Sequence, residues 1–93
     1  MTEIKIKASK PIAEIKKGDK IKVDSLTLEV DAHLVIIEHD KDTKEMTIEC
    51  FDPKTDKDYQ IRYFSHMPED SIEVYVLANE VMYNKIEVKK IEW

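Results

Sequence analysis

The sequence predicts an all-β domain, a small antiparallel meander or partly open barrel of six to eight short strands. Three observations carry this. Apolar and charged residues alternate at a spacing of two through nearly the whole chain, as in Ile4-Ile6-Ala8, Met46-Ile48-Cys50 and Tyr59-Ile61-Tyr63, which puts one face of a pleated strand toward a core and the other toward water. Turn signals recur at short, even intervals. Strand phase also changes at two places where a flat sheet would have to bend. At 93 residues there is room for one core and so for one domain, 1–93.

The elements follow in order. Ile4-Ile6-Ala8 opens the chain. Lys17-Gly18-Asp19 contains the only glycine, expected at a positive φ. Ile21 and Val23 then alternate on odd positions and Leu26, Leu28 and Val30 on even ones, so Asp24-Ser25 must hold a bulge or tight turn. The apolar strand Leu34-Val35-Ile36-Ile37 leads into a break at His39–Lys44. The runs Glu45–Phe51 and Tyr59–Phe64 flank Asp52-Pro53, the opening of a type I turn and the tip of a long hairpin. In that hairpin Met46, Ile48 and Cys50 share a buried face with Tyr59, Ile61 and Tyr63. His66–Asp70 is the next break. Ile72-Val74-Val76 reads as strand by its β-branched content, while 76–83 leaves room for a short helical turn around Ala78-Asn79-Glu80. Ile86 and Val88 close the meander, with a second phase change at Lys89-Lys90 before Ile91 and Trp93.

Composition narrows the setting. A charged fraction of 38% is high for a globular domain, and Lys/Glu enrichment with one Gln and two Asn is the pattern of a thermophilic source. Cys50 is alone, which excludes an intrachain disulfide and suits a buried thiol in a cytoplasmic protein. No apolar run approaches the roughly 20 residues of a membrane span, and the first residues carry no signal-peptide pattern, so no membrane association is expected.

Charge is uneven. Residues 1–22 hold seven Lys against Glu3, Glu14 and Asp19, a net of +4, and the rest of the chain carries −9, which together give −5. Lys5, Lys7, Lys20 and Lys22 alternate with Ile or Val and project to solvent; on neighbouring strands they would form a basic stripe. Arg62 and Phe64 share the face of their strand opposite Tyr59, Ile61 and Tyr63, so Phe64 or a tyrosine is expected to be exposed, where an aromatic beside Arg62 could stack on a base or a peptide. The overall acidity and a single Arg disfavour nucleic acid. Lysines on edge strands and aromatic cross-strand pairs in a core account for the same residues.

No catalytic, metal-ligating or cofactor-binding residues emerge. His33, His39 and His66 lack zinc spacing, Asp40, Asp42 and Glu45 lack the glycine and length of a calcium loop, and no glycine-rich elbow or phosphate cradle is present. The leading expectation is a non-catalytic protein-binding or adaptor module whose partner is a protein, with edge strands also able to join two copies into a homodimer. The alternative is a nucleic-acid-binding small β-barrel that uses the N-terminal lysine stripe. Lys5, Lys7, Lys20, Lys22, Arg62 and Phe64 are the candidate binding residues.

The run Ile12-Ala13-Glu14-Ile15-Lys16-Lys17-Gly18-Asp19-Lys20-Ile21-Lys22-Val23 resembles the Gly-Asp turn that leads into a strand in SH3-like and related small barrels. The whole chain resembles small all-β proteins of hyperthermophilic archaea. These resemblances imply a small barrel and bring no site with them.

Overall fold

A computed structural model describes residues 4–68, 70–79 and 82–93. The expected class holds: one eight-stranded sheet curls into an open half-barrel. Its strands are β1 (Lys5–Lys7), β2 (Lys20–Val23), β3 (Leu26–Glu38), β4 (Lys44–Phe51), β5 (Asp58–Phe64), β6 (Glu73–Leu77), β7 (Tyr83–Ile86) and β8 (Lys90–Glu92). The spatial order is β1-β8-β2-β3-β4-β5-β6-β7. From β2 to β7 each strand pairs antiparallel with the next. β8 then returns to pair antiparallel with β2 and parallel with β1, so the sheet is mixed rather than wholly antiparallel. Alternation fixes which face a strand buries but carries no information about the direction of its neighbour.

The β4–β5 hairpin has the expected register, with Met46 opposite Tyr63, Ile48 opposite Ile61 and Cys50 opposite Tyr59. Five of these six are buried and Met46 is partly so. At the tip Asp52 is itself buried, accepts the Lys54 N–H on its carboxylate, and lets Asp56 turn through a φ of 60°.

Both expected phase changes have a structural cause. Asp24-Ser25 is the two-residue loop between Val23 and Leu26, with Asp24 at φ 53°, where a short polar side chain is tolerated. The Asp24 carboxylate accepts the N–H groups of both Lys89 and Lys90, each at 3.0 Å, and its own N–H donates to the Lys90 carbonyl. The second phase change is thereby anchored on the first, and β8 is held against β2. Gly18 lies at φ 93°, as expected.

The core fills the concave face. Ile21, Val23, Leu28, Val30, Ile48, Ile61, Val74 and Ile91 are almost wholly buried there, and Ile12 and Ile15, on and just after a short 3-10 turn (Ile12–Glu14), pack into the same cluster. The Trp93 indole N–H ties this segment to the last strand by donating to the Lys10 carbonyl at 2.8 Å. No helix among the described residues is long and apolar enough to cross a membrane. The helical turn considered around Ala78-Asn79-Glu80 falls partly on Glu80 and Val81, outside the described residues; β6 continues as strand through Leu77.

Candidate functional site

Lengths decide where this sheet is open. β3 runs for 13 residues, whereas β2 has only four. Pairing on the β2 side stops at Val30, whose N–H and C=O are taken by the Asp19 carbonyl and the Gly18 N–H, both at 2.9 Å. There the chain turns away: the Asp19 carboxylate accepts the Lys16 N–H and the Lys10 ammonium, and those two contacts, Lys10 first, hold its carboxyl below the usual range. Beyond Val30, among the described residues, no strand pairs with the second side of β3.

That free edge is apolar. Leu34, Val35, Ile36 and Ile37 are 51, 48, 43 and 46% exposed. β3 keeps strand geometry through this stretch with two register shifts against β4, at Asp31 and Ile36, and bulges of this kind increase local twist. Val35 faces Met46 on the concave side, while Leu34 lies opposite Thr47 on the outer face. The two formal edges of the sheet differ in character. β1 carries Lys5 and Lys7, and β7 carries Lys85. Such lysines discourage a further strand from adding, and the open stretch of β3 has none until Lys41, beyond its end.

Beside this edge lies a groove of about 360 Å³ at the mouth of the half-barrel. It is lined by Ala32 and His33 of β3, by Ala13, Ile15, Lys16 and Lys17 of the segment before β2, and by Met46 and Tyr63 of β4 and β5. His33 is fixed by two hydrogen bonds, Nδ1 to the Ile15 carbonyl at 2.8 Å and Nε2 to the Tyr63 hydroxyl at 2.6 Å. A carbonyl can only accept, so Nδ1 carries a proton, and in the neutral ring Nε2 accepts from Tyr63. Burial pushes the Tyr63 phenol up to about 12, which keeps it a hydroxyl. Both polar groups are therefore engaged with each other, and the groove presents mainly apolar surface to anything that enters. Lys16 and Lys17 stand exposed at its rim.

The far end of the edge is acidic. Residues 38–45 hold Glu38, Asp40, Asp42 and Glu45 against Lys41 and Lys44. The N–H groups of Asp42 and Thr43 donate to the Asp40 carboxylate at 2.8 and 2.7 Å and hold it below the usual carboxylate range. Phe64, half-buried, sits with its ring 6.1 Å from those of His39 and His66.

The candidate residues read from the sequence fall elsewhere. Lys5, Lys7, Lys20 and Lys22 all project from the outer face, but β1 and β2 are not neighbours. β8 lies between them and sets Glu92 opposite both Lys7 and Lys22, with the Lys7 ammonium 3.9 Å from Glu92. Lys20 pairs with Glu29 at 2.7 Å. Arg62 is on the same face, but β3 and β4 separate its strand from β2. Its Nε–H donates to Gln60, whose amide donates to Glu49, and its guanidinium lies 4.2 Å above the Tyr75 ring. Beyond it, Lys85 reaches Glu73 at 2.7 Å and holds that carboxyl low. The lysines and Arg62 share the outer face but do not gather into one patch, because β8 separates β1 from β2 and β3 and β4 separate β2 from β5. The open β3 edge and the His33–Tyr63 groove went unread in the sequence; the only signal was the unbroken run Leu34–Ile37, whose exposure depends on which strand lies alongside.

Among known protein families, curated proteins and solved structures, none matches this chain.

Proposed function

We propose that this protein is a non-catalytic protein-binding module that takes up an extended segment of its partner along the open edge of β3. One observation carries the reading: four consecutive large aliphatic side chains stand half-exposed on a strand whose second side, among the described residues, is unpaired. An added strand would satisfy the free backbone groups and cover the aliphatics together. Covering the exposed half of four such side chains contributes roughly 3–6 kcal/mol before the cost of ordering the segment. That suits reversible capture. The outer-face lysines, several already facing Glu92 or Glu29, then act as a solvated surface that keeps other copies from adding at β1.

The test is a selection of random dodecapeptides on the immobilised protein, followed by amide exchange with the selected peptides bound. Selected peptides should alternate apolar residues and protect amides within residues 31–38. A double variant, Val35→Lys with Ile37→Lys, should keep its fold and lose them. Peptides that protect another surface, or that bind the double variant as tightly as the parent, would refute the reading.

A further inference from the structure

The two ends of the open edge differ in charge, and this assigns a direction to whatever lies along it. Resting on the reading above, we infer that the captured segment runs antiparallel to β3, with cations at its N-terminal end, a carboxylate at its C-terminal end, and an apolar side chain between them seated in the groove beside His33.

The charges set the polarity. Lys16 and Lys17 rim the groove next to Ala32 and His33 and balance the exposed Glu14 and Asp31 there, whereas Glu38, Asp40 and Asp42 lie exposed where β3 ends and outnumber Lys41. Six residues of strand separate Ala32 from Glu38, or about 20 Å at strand rise. That exceeds the Debye length of about 8 Å at physiological salt, so each end selects its own counter-charge. Antiparallel pairing is the more stable of the two ladders, and on β3 it brings the C-terminal end of the segment to Lys16 and Lys17. Alternate side chains of an added strand face the concave side, where Val35 stands opposite Met46. A side chain entering there meets Ala13, Ile15 and Met46, because the ring nitrogens of His33 are already engaged by Ile15 and Tyr63. The groove therefore selects an apolar group.

The same charges weigh against a second copy of this chain as the occupant. Antiparallel self-pairing that sets Leu34 opposite Ile37 and Val35 opposite Ile36 also brings Asp31 against Asp40, twice across the twofold. Like charges placed opposite destabilise a sheet, so this register is disfavoured even though it brings Glu38 of each copy opposite His33 of the other.

The test uses three synthetic peptides with one apolar core: Lys-Lys-Val-Thr-Val-Thr-Val-Glu-Glu, its charge-reversed form Glu-Glu-Val-Thr-Val-Thr-Val-Lys-Lys, and a form with Gln at all four charged positions. Binding by calorimetry at 150 mM salt should favour the first over the reversed peptide by about tenfold, as reversal of several exposed charge contacts would give. Lys16→Gln with Lys17→Gln, both exposed, should narrow that preference while amide protection at 31–38 persists. Amidating the C-terminus separates the sources of the carboxylate: unchanged binding assigns it to the Glu side chains, and a loss assigns it to the chain terminus. Equal binding of forward and reversed peptides, with protection still at 31–38, would overturn the direction and leave the edge-capture reading standing. No protection at 31–38 by any peptide would overturn both. A dimer in sedimentation that Ile37→Lys disperses would replace the partner segment with a second copy.

Discussion

Replacing Ile48 by Ala tests the concave core at its centre. Ile48 is 0% exposed and lies opposite Ile61 on one side and His33 on the other. The substitution removes three carbons, worth roughly 2.4 kcal/mol in lost burial. A void of roughly 50 Å³ that the pinned flanking strands fail to close adds about 1 kcal/mol. The expected loss is therefore about 3–4 kcal/mol, a large share of the ~5–10 kcal/mol that a domain of this size holds. In urea, at a slope of roughly 1–2 kcal/mol/M, the midpoint should fall by about 2 M with no change of slope. Leu34→Ala is the control: with half of its side chain in water, it should cost less than about 1 kcal/mol. An Ile48→Ala loss below ~1 kcal/mol would show that β4 does not bury this face.

Asp24→Ala should cost about 1–3 kcal/mol, since it strips the acceptor from the Lys89 and Lys90 N–H groups at a positive φ; Asp24→Asn keeps an acceptor there and should lose far less. Thermal unfolding with amide exchange at Lys89 and Lys90 checks this, and equal damage from both variants would count against the clamp. Burial pushes the Cys50 thiol and the Tyr63 phenol each up to about 12 from 9.0 and 10.0. Because folding raises both, the stability they contribute is complete below their unfolded values and is lost as pH climbs from about 9 toward 12. Denaturation midpoints that stay flat across that window would contradict it. Native labelling of Cys50 should be at least about a hundredfold slower than in denaturant, and equal rates would show the thiol to be exposed. At 150 mM salt RNA and DNA should show no saturable binding below ~10 μM; tighter binding, lost in Lys20→Glu with Lys22→Glu, would promote the lysine face to a nucleic-acid site.

Local signals were legible in the sequence. The β4–β5 register followed from two alternating runs around Asp52-Pro53, the Asp24-Ser25 turn from a shift between odd and even positions, the positive φ from Gly18, and the burial of Cys50 from the company of Met46 and Ile48. Each rests on residues close in the chain. The parallel pairing of β1 with β8 joins opposite ends of the chain and leaves no mark on either period. The bulges at Asp31 and Ile36 break the alternation of β3, so one long strand read as two apolar stretches. Leu34–Ile37 has the same composition whether covered or open, and the His33–Tyr63 bond crosses from β3 to β5. What could not be read was adjacency, and the open edge is a matter of adjacency.

The position of β8 also bears on the order in which the sheet can be assembled. Consecutive strands from β2 to β7 can pair as they leave the ribosome, each with a neighbour already made, whereas β1 has no native neighbour until Lys90–Glu92 has been synthesised. In that interval β1 and β2 are both short edges bearing lysines at alternate positions, Lys5 and Lys7 on one and Lys20 and Lys22 on the other. Pairing them directly would place ammonium groups side by side, an arrangement that destabilises a ladder. Glu92 relieves this when it arrives between Lys7 and Lys22. At its Lys7–Lys22 end the lysine pattern keeps a slot vacant in the growing sheet, and the last strand brings the carboxylate that fills it, while at the other end Lys90 comes to lie opposite Lys5.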